Sequence, residues 1–257
     1  MMIDLHGRSA LVTGSTSGIG EAIARKLGDA GADVVVNGRK ADRVDEVAKD
    51  LGARGITGDV GTAQGVADLL DQLPDVDILV NSAGVFGTTP VFEIEDDDWL
   101  RLFEVNVLSG VRLTRHYAPR MVARGWGRVI FVSSEAGVQT PTEMVHYGVT
   151  KSAQLALSRG TAQEVAGTGV TVNCVLPGPT LTRGVESMLA QLYPDLSDED
   201  RERRYVAGGR ASTSLLKRLI RPEEIASLVT YVASDEASAT TGAALSVDGG
   251  LVPTIFP

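Results

Sequence analysis

Between Ala10 and Gly20 an apolar run, Ala10-Leu-Val12, gives way to Thr13-Gly14-Ser15-Thr16-Ser17-Gly18-Ile19-Gly20, and a helical pattern begins at Ile19, Ala22, Ile23 and Leu27. A strand must end here, the backbone must turn sharply, and a helix must start with its free N–H groups and positive dipole end facing the turn. Such a turn favours an anion, above all a phosphate. Gly14 and Gly18 let the backbone bend and approach that anion closely, and Gly20 lets the helix pack against its strand. The spacing is Gly-x-x-x-Gly-x-Gly rather than the commoner Gly-x-Gly-x-x-Gly. Taken alone, the stretch is equally an ordinary strand-to-helix loop, so its meaning depends on the rest of the chain.

Downstream, strand-like and helix-like segments alternate. Asp33-Val-Val-Val-Asn37, Asp77-Ile-Leu-Val-Asn81, Arg128-Val-Ile-Phe-Val132 and Thr171 to Leu176 are near-continuous apolar runs, as expected of strands buried on both faces. Arg54 to Gly58 and Ala244 to Val247 are weaker versions. Helical periodicity separates them over 41–51 and 66–73, then from Asp96 toward Val122, over 145–166 and from Pro222 onward. Asp96-Asp97-Asp98 suit a helix start. Consecutive residues point in different directions around a helix, so the triplet is disfavoured as a metal site, and no metal is expected. The alternation predicts an α/β fold with a doubly wound parallel sheet and right-handed crossovers, a single Rossmann-type domain over 1–257. The uneven stretch of about 180–220 is expected to form a lid over the substrate.

Composition narrows the function. A net charge of −9 argues against a nucleic-acid or anionic-membrane surface, and no apolar run approaches a membrane span. Cys174 is the sole cysteine, so no intrachain disulfide forms. It lies in an apolar run and reads as a small core residue. Met1 to Arg8 holds no long apolar segment. A cytoplasmic protein without a signal peptide is expected.

Tyr147 and Lys151 lie one helical turn apart, so both side chains reach the same face. Their helix follows a strand ending in Ser133-Ser134, and ligands of doubly wound sheets sit at the C-terminal strand ends. A hydroxyl, a phenol and an ammonium are thereby delivered to the rim that carries the glycine turn. A free phenol has a pKa near ~10, and lowering it by about 3 units takes about 4 kcal/mol. One cation at ~4 Å in an effective dielectric of ~20 supplies about that much.

The ordered set resembles the short-chain dehydrogenase/reductase family over nearly the whole length: Thr13-Gly14 through Gly20, Asp59-Val60, Asn81-Ser82-Ala83-Gly84, Asn106-Val107, Ser134, Tyr147-Gly-Val-Thr-Lys151, Pro177-Gly178 and Val247-Asp-Gly-Gly250. Ser82, where the family usually has a second asparagine, is a mild departure. The resemblance implies hydride transfer between a nicotinamide cofactor and a ketone or secondary alcohol, with Tyr147 exchanging the proton and Ser134, rather than Ser133, bonding the substrate oxygen. It implies that Lys151 holds the nicotinamide ribose and that Asn106 anchors a water linking Lys151 to solvent. It places Asp59 and Val60 at the adenine, Asn81, Ala83 and Gly84 beside it and the ribose, and Thr180 and Thr182 at the carboxamide and pyrophosphate. The turn itself, Gly14, Ser15, Thr16, Ser17, Gly18, Ile19 and Gly20, would cradle the phosphates.

The second strand ends Asn37-Gly38-Arg39, where an NAD enzyme of this fold usually places an acid. An arginine fork suits a 2′-phosphate, so NADP is expected over NAD. The pocket walls are expected from Val85, Phe86, Val138, Met144 and His146, with an apolar face of Val185, Met188, Leu189, Leu192 and Tyr193 and a hinge at Gly208-Gly209. No pair of basic residues converges on Tyr147, so a neutral, moderately apolar ketone or alcohol is expected, a 3-oxoacyl thioester among the candidates. Glu135 reads as a rim charge and Asp195 to Arg204 as a solvent-facing stretch. Relatives of this length are commonly tetramers or dimers, and small residues on the 145–166 helix, with Trp99 and Phe103, permit such packing. Two rivals are a catalytically silent cofactor-binding regulator, which needs no proton relay, and a nucleotide-sugar epimerase, which needs an added domain.

Overall fold

The computed structural model describes residues 3–254. Seven parallel strands form one sheet: β1 (Ser9–Val12), β2 (Asp33–Gly38), β3 (Arg54–Thr57), β4 (Ile78–Asn81), β5 (Gly127–Val132), β6 (Val170–Pro177) and β7 (Ala244–Val247). Their order is β3-β2-β1-β4-β5-β6-β7, which reverses direction between β1 and β4. That reversal opens a crevice at the carboxyl ends of the strands. The sheet is the doubly wound α/β fold expected from the alternating pattern.

Strand alternation sorts the apolar residues into two cores. Ala10, Val12, Ile78, Val80, Ile130 and Val132 face α1 (Gly18–Asp29) and α9 (Pro222–Ala233), meeting Ile23, Leu27, Ile225 and Val229. Leu11, Leu79, Val129, Phe131 and Cys174 face the other side. There they meet α3 (Ala63–Gln72), α5 (Ser109–Arg124) and α6 (Val145–Glu164) through Val66, Leu113, Tyr117, Met121 and Ala162. Each of the larger aliphatic and phenylalanine side chains among them stabilises the fold by about 1.5–3 kcal/mol when fully buried.

The glycine turn connects β1 to α1. Gly14 has φ +65°, and a Cβ there would lie 2.8 Å from the Ala83 Cα. A Cβ on Gly20 would lie 2.4 Å from the Gly14 carbonyl oxygen, so the helix meets the turn backbone to backbone.

Two segments differ from their sequence-based expectation. The helical pattern from Asp96 is α4 (Asp96–Phe103), then a π-helical turn over Glu104–Leu108, then α5. At the turn the Ser109 N–H reaches back five residues to the Glu104 carbonyl. The stretch 180–220 is more regular than its composition implies, with α7 (Arg183–Leu192), α8 (Asp198–Gly208) and a 3-10 turn at Arg210–Thr213. Leu189, Val206, Ala211 and Leu219 form a small core of its own, on which Val185 and Tyr193 pack, while Met188 and Leu192 are exposed. Two residues of the charged stretch are exceptions, Arg201 and, above all, Glu202. Its carboxylate accepts two bonds from Arg221, at 2.8 and 3.0 Å, and one from the Leu219 N–H. α8 is thereby tied to the start of α9.

Candidate active site

A groove of about 460 Å³ runs along the carboxyl ends of β1, β2 and β4. Gly14, Thr16, Ser17, Gly18, Ile19 and Gly20 line its floor, Gly38, Arg39, Asp59 and Val60 one end, Ala83, Gly84, Val85 and Phe86 its far wall, and Tyr147, Lys151 and Thr182 the other end. Its volume falls within the 300–1,000 Å³ range usual for ligand sites. The floor has no side chain at Gly14, Gly18 or Gly20, and the backbone N–H groups of α1 begin there. This arrangement fits a dinucleotide: a phosphate-sized cradle in the middle, with a cation at each end.

Tyr147 and Lys151 both face this groove from the first turns of α6, with the Lys151 Nζ 5.5 Å from the centre of the Tyr147 ring. Lys151 is 4% exposed. Its ammonium donates to the Val132 carbonyl at 2.9 Å and to Gln154 Oε1 at 3.1 Å, leaving one of its three donors for the groove. Burial pulls its pKa down from 10.5 to about 8, opposed by Cys174 and Glu135. Phe86 meets Tyr147 edge-on, the ring centroids 6.3 Å apart.

Ser134 is buried at the end of β5, where it caps a 3-10 turn over Glu135–Gly137. Its Oγ accepts the Ala136 N–H at 3.1 Å and donates to Glu135 Oε2 at 2.5 Å. Glu135 is therefore not a rim charge. It is 4% exposed, because the 3-10 turn folds its side chain inward. Ser133 lines the groove, and its hydroxyl is occupied by the Lys151 carbonyl at 2.9 Å.

Several residues expected at the cofactor support the groove from behind. The Ser15 side chain turns into the fold, its Oγ donating to the Val12 carbonyl at 2.7 Å and accepting the Asn37 N–H at 3.0 Å. Asn81 points toward α5, where its Cγ lies 3.5 Å from the position a Cβ on Gly110 would take, and both its polar side-chain atoms are buried without a hydrogen bond. Asn106 holds the loop after β4, accepting the Val85 N–H at 2.8 Å and donating to the Val85 carbonyl and to Thr150. A Cβ on Gly84 would lie 3.5 Å from the Asn106 Oδ1 and 3.7 Å from the Lys151 Nζ, so both side chains border that residue. Pro177 ends β6, Gly178 follows against the Asp248 backbone, and Thr180 bonds the Gly178 carbonyl and bridges to Ile220. Thr182 caps α7.

Two contributors, Arg43 and Gln154, escaped sequence reading, and a third, His146, was expected only as a pocket wall. Arg43, on α2 (Ala41–Leu51), donates to the Thr16 carbonyl at 3.2 Å, bringing a second cation beside the turn. His146 is buried against Trp99, ring centroids 5.9 Å apart, its Nδ1 without a hydrogen bond. Gln154, a polar residue in the middle of α6, is 1% exposed. Arg43 was recoverable from its place on the first turn of the helix after Arg39; Gln154 carries no sequence signal. Cys174 is buried, as expected, and burial pushes its thiol up to about 12. Among the described residues, no group of three or more His, Cys, Asp or Glu is placed to hold a metal, and no helix is long and apolar enough to cross a membrane.

Comparison with known proteins agrees with this geometry. The family model described as enoyl-(acyl carrier protein) reductase matches residues 14–252. The chain is 48% identical over its full length to the whole of an uncharacterized oxidoreductase, YvaG, of Bacillus subtilis. It is 30% identical to the 3-oxoacyl-[acyl-carrier-protein] reductase FabG of Aquifex aeolicus, across 98% of this chain and all of that one. L-sorbose reductase from Gluconobacter frateurii, solved with NADPH and L-sorbose, superposes with a TM-score of 0.92 at 34% identity, covering 99% of this chain and all of that one. With the parallel sheet, the glycine groove and the Tyr147–Lys151 pair already in place, these likenesses establish that the chain belongs to the short-chain dehydrogenase/reductase family, NAD(P)-dependent oxidoreductases acting on carbonyl and CH–OH groups.

Proposed function

We propose that this protein uses NADPH to reduce a neutral ketone to a secondary alcohol, with Tyr147 as proton donor, Ser134 as the partner of the substrate oxygen and Lys151 as the cation beneath them. The observation that carries this reading is the meeting of Tyr147 and Lys151 at one end of the glycine groove, the ammonium 5.5 Å from the phenol ring. A nicotinamide in the groove would supply the hydride; the protein's own part is to orient, polarise and exclude water. Ser134 directs its proton at Glu135, so bonding a substrate oxygen requires the hydroxyl to turn away from that carboxylate. Residues 180–220 supply the lid, since Thr182 and Arg183 lie on the groove and α7 begins there. The screen that tests the whole reading follows loss or gain of reduced nicotinamide absorbance over a panel of ketones, 3-oxoacyl thioesters and alcohols with both cofactors. No turnover with any member would contradict it.

The choice of NADPH rests on Arg39, exposed on the groove beside Gly38, and on Arg43 next to Thr16. A charge-assisted bond to a 2′-phosphate contributes about 1.5–3 kcal/mol, roughly 10- to 150-fold in preference. Arg39→Ala is expected to lower kcat/KM for NADPH by that range and leave NADH nearly unchanged. Equal loss with both cofactors would contradict the assignment. The neutral substrate is supported by Glu135, a buried carboxyl one hydrogen bond from Ser134, which disfavours anions and suits hydroxyl-bearing ketones. L-sorbose, in the similar reductase, is of that class.

We also propose self-association, to a dimer or tetramer. Phe92 is fully exposed and Leu100 on α4 largely so, and nothing among the described residues covers them. Trp99, half-buried beside them, packs on His146 with the face it turns inward. Light scattering at micromolar concentration should give a multiple of the chain mass; a monomer would refute it.

A further inference from the structure

Beneath Lys151 the polar interior continues into the π-helical turn. The Asn106 carbonyl, inside that turn, accepts a hydrogen bond from Gln154 Nε2 at 2.6 Å. A carbonyl can only accept, so the Gln154 amide must present its NH₂ to Asn106 and its Oε1 to Lys151, 3.1 Å away. The polarity of the link is dictated by the main chain. Gln154 is 1% exposed, and its amide is engaged at both its oxygen and its nitrogen, so solvent does not compete for it.

We propose that Gln154 is a positioning residue for Lys151, its amide a fixed bridge that anchors the buried ammonium to the Asn106 carbonyl and supports its charge without neutralising it. The inference rests on the reading of Lys151 as the cation of the proton-transfer site. A buried ammonium needs acceptors. The Val132 carbonyl supplies one and Gln154 the other, so two of the three donors are spoken for and one is left to the groove that Lys151 lines. A carboxylate at position 154 would hold the ammonium as firmly but cancel its field at Tyr147. An aliphatic side chain would leave both the ammonium and the Asn106 carbonyl short of a partner. The amide is the one of these three that anchors the charge and leaves it effective.

The titratable groups that face Lys151 are Tyr147 from its own helix, Glu135 from the 3-10 turn and Cys174 from β6. Gln154→Met and Gln154→Glu change none of them. The test is the NMR titration of isotope-labelled lysine side chains in the unliganded protein, the Lys151 signal identified by its loss in Lys151→Met. In Gln154→Met the Lys151 midpoint is expected to fall by about one to two units, the effect of losing one hydrogen bond to a charged group. In Gln154→Glu it is expected to rise above wild type, while turnover drops. A folded Gln154→Met with an unmoved midpoint overturns the proposal. Should that variant not fold, an unmoved midpoint in Gln154→Glu overturns it equally. Midpoints that move as described, together with full turnover in Lys151→Met, would uphold the bridge and reject the catalytic reading on which it was built, so the two failures are separable.

Discussion

Replacing Tyr147 by phenylalanine is expected to lower turnover about 10²–10⁴-fold while leaving nicotinamide binding nearly intact. The magnitude is that of losing a positioned general acid–base. The specificity follows from geometry. The phenol reaches the groove at one end only, and the glycine floor, Arg39, Asp59 and Ala83 line the rest of it and would remain to hold a dinucleotide without it. The ring is kept, so its edge contact with Phe86 and its place over Lys151 survive. Stopped-flow or steady-state rates on a verified substrate, paired with cofactor titration by fluorescence, read the two quantities separately. A Tyr147→Phe enzyme that keeps most of its turnover would remove Tyr147 from the chemistry.

Lys151→Met is expected to cost at least about 10²-fold in turnover and to weaken cofactor binding as well, which distinguishes it from Tyr147→Phe. Its second signature lies in stability. The Lys151 pKa is lowered on folding from 10.5 to about 8 because burial penalises the ammonium. Below about pH 8 both folded and unfolded chains carry the proton, and the penalty is fully present. Between about 8 and 10.5 the unfolded chain binds more protons than the folded one, so wild-type stability gains with rising pH. The shift corresponds to about 3 kcal/mol over that window. Lys151→Met has no such group. Its stability relative to wild type should therefore be highest near neutral pH and decline from pH 8 to 10.5, read as urea midpoints across that range. A constant difference would mean that the ammonium is not strained by burial.

The fold was legible because its signals are local and repeated. Five of the strands are runs of β-branched and aliphatic residues, and the helices between them keep one apolar face, so alternation alone predicts a parallel sheet. Tyr147 and Lys151 were legible because i,i+4 spacing fixes a shared face whatever the tertiary context. The supporting residues were not, because their roles depend on which way a short turn folds. Glu135 looks like any acid after a strand until the 3-10 turn rolls it under Ser134. Ser15 and Asn81 sit within the expected motifs, yet one points into the sheet and the other at α5. The π-helical turn leaves no mark in Glu104–Leu108, whose apolar spacing reads as uninterrupted helix. That turn is what directs the Asn106 carbonyl to Gln154 and its side chain to Val85.

The central claim is that the groove and the Tyr147–Lys151 end work as one hydride- and proton-transfer site. It is tested most directly by the absorbance of reduced nicotinamide, followed with wild type and Tyr147→Phe side by side on the same panel of neutral ketones. The account predicts NADPH oxidation by wild type with at least one ketone, and loss of about 10²-fold or more of that rate in the variant despite bound cofactor. Equal rates in the two proteins, or cofactor binding without turnover across the panel in both, would contradict it.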